Sequence, residues 1–220
     1  MRMRKKPNLI PRMERCAQVQ ITDPEAYRGR WLSEIPGYDK LFIELGCGKG
    51  RFTCQTAVNE SNALIIAVER VADAMVIGME RACGEGIKNV RFMVKDVTAL
   101  GEFFSENEAD RIYINFCDPW PNKKRWKRRL TAPSFLKMYR SILKDGGEIH
   151  FKTDNRDLFD WSLEQFEDCG YTLSQVTNDL HANGVNGVMT DYEAKFHEQG
   201  VKINRCVATV GKEVKTDGQA

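Results

Sequence analysis

Leu41-Phe42-Ile43-Glu44-Leu45-Gly46-Cys47-Gly48-Lys49-Gly50 is the stretch that decides the fold. A short apolar run ends in a turn with glycine at every second position, the pattern of a buried strand that delivers backbone to a ligand. Further along, Ala63 to Val68 reads as a second strand ending at Glu69. Val71, Ala74, Met75, Gly78, Met79 and Ala82 then recur at helical spacing. Val90 to Val94 is a third strand, stopping before Asp96, and Ile112 to Phe116 a fourth, stopping before Asp118-Pro119-Trp120-Pro121. Pro133 opens a helix through Phe135, Tyr139, Ile142 and Leu143 that halts at Gly146-Gly147. Glu148 to Phe151 is a fifth strand, and Leu158, Phe159, Ser162, Leu163 and Phe166 mark a helix ending at Gly170. Tyr171 to Val176 and Arg205 to Val210 read as two last strands, expected to pair antiparallel at one edge. Strands alternating with helices predict an α/β, doubly wound, mostly parallel sheet. The chain shows no internal repeat and no linker, so residues 1–220 are expected to form one domain, with 1–30 as a basic N-terminal arm.

Composition narrows the class. A chain of 220 residues with 42% hydrophobic and 29% charged residues is long enough to bury a core in water. Its apolar runs fall far short of a membrane span, which needs roughly 18 or more residues. The basic N-terminus lacks the apolar segment of a secretory signal. Seven cysteines, scattered without CxxC pairs, point away from a disulfide framework and toward a reducing cytoplasm. The net charge of +2 hides two concentrations. Arg2, Arg4, Lys5, Lys6, Arg12 and Arg15 form one, and Lys123, Lys124, Arg125, Lys127, Arg128 and Arg129 the other. The rest of the chain, with 21 basic and 30 acidic residues, carries −9. An acidic body with two basic patches, Trp120 and Trp126 among them, has the charge distribution of a nucleic-acid binder.

In open parallel sheets ligands bind beyond the C-terminal ends of the strands, and the polar candidates here sit at those ends. Gly46, Gly48 and Gly50 follow the first strand; Glu69 follows the second, 23 residues past Gly46, where a carboxylate accepts from ribose hydroxyls. Asp96, after the third, can face an adenine amino group. The turn reads GxGxG rather than the GxGxxG that brings a helix N-terminus to a pyrophosphate. S-adenosyl-L-methionine has no phosphate and a cationic end, which Glu44 suits, so it is preferred over a nicotinamide dinucleotide.

Three further segments carry more specific information: Asp118-Pro119-Trp120-Pro121 with the basic run Lys123 to Leu130, Phe151-Lys152-Thr153-Asp154-Asn155, and Thr190-Asp191-Tyr192-Glu193-Ala194-Lys195-Phe196. In this order behind the glycine turn, they closely resemble the bacterial tRNA (guanine-N7-)-methyltransferases, from the N-terminal MRMR to about Val207. The resemblance implies a class I, Rossmann-like methyltransferase fold with a seven-stranded sheet and an antiparallel edge strand. It also implies methylation of N7 of a variable-loop guanine in tRNA, with S-adenosyl-L-methionine as donor. No metal and no membrane are expected, and the chain is expected as a monomer or homodimer. By matching position it makes Glu44, Glu69, Asp96 and Asp118 cofactor contacts, with Asp118 also catalytic. Asn122, Lys123, Asp154, Thr190, Asp191, Tyr192 and Glu193 fall on substrate positions, and Lys124, Arg125, Trp126, Lys127, Arg128 and Arg129 on the RNA-contacting loop. In one respect the chain departs from the family, which usually has lysine directly after DPWP where this chain has Asn122 and then Lys123.

The chemistry agrees with the residues. Guanine N7 is a lone pair with no proton to lose, and none of the three histidines accompanies a nucleophile. Alignment and carboxylate stabilisation of the purine cation are the expected devices. Asp118, Asp154 and Glu193 can accept from guanine N1–H and its amino group. Trp126 suits base stacking, and Trp120 suits either stacking or the core. Cys47 is read as a small buried residue, not a nucleophile. The competing readings are a methyltransferase for another RNA position or a protein side chain, and a non-catalytic RNA binder.

Overall fold

The computed structural model describes residues 8–211, without the side chain of Lys123. Arg2, Arg4, Lys5 and Lys6 of the basic arm lie outside the described residues. Seven strands form the sheet: β1 (Lys40–Leu45), β2 (Ala63–Glu69), β3 (Val90–Val94), β4 (Ala109–Asn115), β5 (Leu143–Thr153), β6 (Tyr171–Thr177) and β7 (Asn204–Val210). The helices are α1 (Leu9–Glu14), α2 (Trp31–Glu34), α3 (Arg51–Asn59), α4 (Ala72–Gly84), α5 (Leu100–Phe103), α6 (Pro133–Ile142), α7 (Arg156–Asp168) and α8 (Asp191–Glu198).

Spatial order is β3-β2-β1-β4-β5-β7-β6. The first five strands are parallel, and β7 runs antiparallel between β5 and β6. Chain order therefore reverses between β1 and β4, which opens a crevice at their C-terminal ends. The two-residue period of a strand sets the faces. Leu41, Ile43 and Leu45 enter one apolar layer with Trp31, Ile112, Ile114 and Phe159. Phe42 enters the other with Phe52, Met75 and Met79. Glu44 shares the parity of Phe42, so its carboxylate goes to the α3 side of the sheet. The indole N–H of fully buried Trp31 donates to the Phe103 carbonyl at 3.0 Å. The outer edge of β3 is covered by the N-terminal segment, where Ile21 N–H donates to the Phe92 carbonyl at 2.8 Å.

Strands β5 and β4 depart most from the sequence expectation. The α6 helix stops at Ile142, and β5 already begins at Leu143 and runs through Gly146-Gly147. Gly146 lies at φ +75°, and the β4–β5 register shifts between Ala109 and Arg111, so the glycines kink a strand instead of ending a helix. The fourth strand ends at Asn115, because Phe116 takes the left-handed φ of +53°. No helix among the described residues is long and apolar enough to cross a membrane.

Candidate active site

The crevice at the β1/β4 reversal is a cleft of about 330 Å³. One side is the glycine turn with Glu44, Glu69 and Asn115; the other is the start of α8, with Thr190, Asp191 and Tyr192. The Glu44 carboxylate is buried, accepts from the Thr53 hydroxyl of α3, and accepts from Asn115 Nδ2 at 3.4 Å. Burial raises its pKa to about 7, against the opposing pull of those hydrogen bonds and of Lys152. Asn115 Oδ1 is a buried acceptor without a partner among the described residues. Glu69 binds backbone through both oxygens: Gly48 N–H to Oε2 at 3.0 Å and Val71 N–H to Oε1 at 2.9 Å. It thereby fastens the glycine turn to the start of α4.

Three residues matched to cofactor roles lie outside this lining. Gly50 has a packing reason for its glycine, since a Cβ there would stand 2.6 Å from Gly78 Cα and push α3 off α4. Asp96 caps the short 3-10 turn Val97–Ala99, its Oδ1 accepting from Thr98 N–H at 2.9 Å and Thr98 Oγ1 at 2.7 Å, and these bonds hold its pKa below the usual range. Asp118 is exposed beyond the end of β4. Cys47 is buried in the turn, and burial pushes its thiol pKa well up, which suits a packing role.

The α8 wall is built from the third motif. Thr190 caps the helix in a reciprocal box with Glu193. Arg51 at the start of α3 reaches across to Asp191 at 3.9 Å, and Phe116 meets Phe196 with ring centroids 5.9 Å apart. Tyr192 is 61% exposed. The expectation that Glu193 reads a base edge requires correction. It is 0% exposed, with Lys152 Nζ donating to Oε2 at 2.7 Å and His181 Nε2 at 3.0 Å from Oε1. Both oxygens are engaged inside the protein.

The outer rim is different in kind. Asp118 and Asp154, at the ends of neighbouring strands β4 and β5, are exposed and make no hydrogen bond or ion pair among the described residues. Asn122 caps the 3-10 turn Lys123–Arg128, its Oδ1 accepting from Lys124 N–H at 2.9 Å. Lys124, Arg125, Lys127 and Arg128 are exposed, and Trp126 packs edge-on to Trp161 while remaining 37% exposed. Trp120, half-buried at φ +42°, lies under the Arg128 guanidinium at 4.7 Å. Arg129 turns inward, its Nε donating to the Pro119 carbonyl at 2.9 Å and its guanidinium 4.5 Å from the Trp161 ring. Arg129 thereby clamps the loop that carries Asp118.

Sequence reading missed Thr53, Asn115, Lys152 and His181, each of which contacts a site carboxylate. Asn115 carried a signal, being a polar residue at the buried end of an apolar strand like Glu44. The donor set fits a nucleoside with a cationic chain: a buried carboxylate and an orphan carbonyl oxygen for the cation, and a glycine turn beside a second carboxylate for the sugar.

Fold and cleft together define the class. Solved structures with the same fold include the 16S rRNA methyltransferase KamB, at TM-score 0.64 and 12% identity over 83% of this chain and 93% of that one. An antibiotic-related methyltransferase matches at TM-score 0.58 and 21% identity over 81% of this chain and 91% of that one. The architecture is that of a class I methyltransferase. Residues 38–206 match the family described as "Putative methyltransferase". The tRNA (guanine-N(7)-)-methyltransferase of Geobacillus kaustophilus (strain HTA426) is 40% identical over 94% of this chain and 96% of its own length. That of Clostridium kluyveri is 35% identical over 96% of this chain and 100% of its own. The chain belongs to the tRNA (guanine-N7-)-methyltransferase family.

Proposed function

We propose that this protein transfers a methyl group from S-adenosyl-L-methionine to N7 of the variable-loop guanosine of tRNA, as one domain working in the cytoplasm. The observation that carries the reading is the pair of exposed carboxylates, Asp118 and Asp154, without partners among the described residues and just past the ends of adjoining strands of a methyltransferase sheet. Bound in the cleft, S-adenosyl-L-methionine supplies an electrophilic methyl group on a sulfonium. Glu44 and the free Asn115 oxygen hold the cationic end, and Glu69 shares its remaining lone pairs with the ribose. Asp96, whose two bonds fall on Oδ1, keeps Oδ2 for the adenine amino group.

Asp118 and Asp154 receive guanine N1–H and its amino group, which selects guanine over adenine; each good bidentate base contact is worth about 1–3 kcal/mol. Their negative charge also stabilises the cation that forms on the purine as N7 takes the methyl group. N7 loses no proton, so the chain needs to supply no general base. Thr190 and Tyr192 bound the space between donor and base. Asn122 and Lys123 flank it at the start of the basic turn, whose exposed cations hold phosphates. The test is mass spectrometry of tRNA nucleosides. Purified protein with S-adenosyl-L-methionine should add 7-methylguanosine to undermethylated tRNA, and cells lacking the gene should lose it. Unchanged 7-methylguanosine in those cells refutes the assignment.

A further inference from the structure

A lysine inside a sheet needs a reason, because burial penalises its charge. Lys152 of β5 is 7% exposed, and desolvation lowers its pKa despite a carboxylate partner. Its Nζ donates to Glu193 Oε2 at 2.7 Å and to the Val188 carbonyl at 2.9 Å, lying 5.1 Å from the centre of the Phe52 ring. Its carbonyl accepts from Phe116 N–H at 2.9 Å, two residues ahead of Asp118. Two residues beyond it in sequence stands Asp154. Glu193 in turn takes Thr190 N–H at 3.2 Å and His181 Nε2 at 3.0 Å. One residue thus ties together the Asp118 loop, the Asp154 loop, the segment before α8, and α8 itself.

We propose that Lys152, acting through Glu193, is the positioning residue that sets the α8 wall against the two exposed acids. It does not line the cleft, so its effect on methyl transfer passes through the groups it holds. A buried ion pair contributes little net stability over an apolar pair, and here the Lys152 ammonium holds Glu193 Oε2 and the Val188 carbonyl at fixed hydrogen-bond distances. The inference rests on the proposed function, in that the acids and α8 are taken to bracket the guanine.

The experiment compares Lys152→Met, Glu193→Gln and the double variant with wild type, at a temperature where circular dichroism shows each fully folded. Lys152→Met strands a buried carboxylate and should lower the melting temperature. The double variant removes both charges and should recover most of that loss. Positioning predicts that recovery of stability does not bring back function. In the double variant, kcat/KM for tRNA should stay about 10–100-fold below wild type, and backbone amides of residues 188–198 should exchange faster. A double variant with wild-type kcat/KM, or with wild-type exchange at α8, overturns the proposal. The exchange measurement needs no substrate. Absence of 7-methylguanosine formation by wild type would defeat the functional reading alone, and unchanged exchange would defeat this inference alone.

Discussion

The inner and outer acids along one end of the sheet, at different strands, have been given opposite treatments. Glu44 and Glu69, at the ends of β1 and β2, are bound into the protein through a hydroxyl, a side-chain amide and two backbone N–H groups. Asp118 and Asp154, past the ends of β4 and β5, reach solvent with no partner among the described residues. The inner pair shapes the cleft that a ligand must then share, so fold and ligand depend on the same bonds. The outer pair costs the fold little to keep or to lose. Stability and function should accordingly separate under mutation at the rim and move together in the cleft.

The largest effect is expected at the rim. Asp118→Ala and Asp154→Ala should each lower kcat for tRNA methylation by about 10²–10³, the usual loss when one preorganised electrostatic group is removed. Stability should change by no more than about 0.5 kcal/mol, as for exposed substitutions generally. Steady-state kinetics beside thermal denaturation checks both halves. Wild-type kcat in either variant would strike that residue from the catalytic set.

In the cleft the two properties should fall together. Glu69→Ala leaves Gly48 N–H and Val71 N–H without acceptors, as well as a ribose without its carboxylate. S-adenosyl-L-methionine affinity by calorimetry should weaken by about 1–3 kcal/mol, and the melting temperature of the unliganded protein should drop as well. A weakened affinity with an unchanged melting temperature would mean that Glu69 serves the ligand alone.

Glu44 gives the pH signature. Its folded pKa of about 7 stands above the ordinary 4.5, so the folded state holds a proton that the unfolded state releases. The stability from that proton is full below pH 4.5 and is lost as pH rises through about 7. Glu44→Gln should flatten this part of the stability profile. Cofactor binding favours the carboxylate, so near pH 6 it should release a proton, visible as a buffer-dependent binding enthalpy. Equal enthalpies in buffers of different ionisation heat would remove Glu44 from the cation site.

Most of the fold was legible because the strands are short apolar runs punctuated by glycine, proline or an acid. β3 spans Val90–Val94 as the pattern predicts, and α4 follows its apolar spacing. The α3 helix was missed, since Arg51–Asn59 mixes polar residues and threonine with few periodic apolar ones, and its helicity comes from packing on α4 and the sheet. Of the site, residue types at strand ends were readable, but partners were not. Glu193 looks like a base-reading acid in sequence, and only the approach of Lys152 and His181, 41 and 12 residues away, makes it a buried support. Gly50 and Asp96 show the same limit. Each stands where a ligand contact belongs, and each is also accounted for by a local contact, with Gly78 or Thr98.

The basic turn reproduces the contrast within seven residues and gives the smallest effect per residue. Lys124, Arg125 and Lys127 point to solvent, whereas Arg129 is spent on the Pro119 carbonyl and the Trp161 ring. Neutralising a phosphate releases counterions, so replacing Lys124, Arg125 and Lys127 with alanine should reduce the log–log salt slope of tRNA binding. The reduction should be roughly 0.7–0.9 for each phosphate no longer neutralised. Because such interactions hold ground state and transition state alike, KM for tRNA should rise while kcat stays near wild type. Arg129→Ala should do the reverse. It frees the loop that carries Asp118, so kcat and melting temperature should fall while the salt slope barely moves. A salt slope that drops in Arg129→Ala and holds in the triple variant would invert the assignment, making Arg129 the phosphate ligand and leaving the exposed cations as solvated surface.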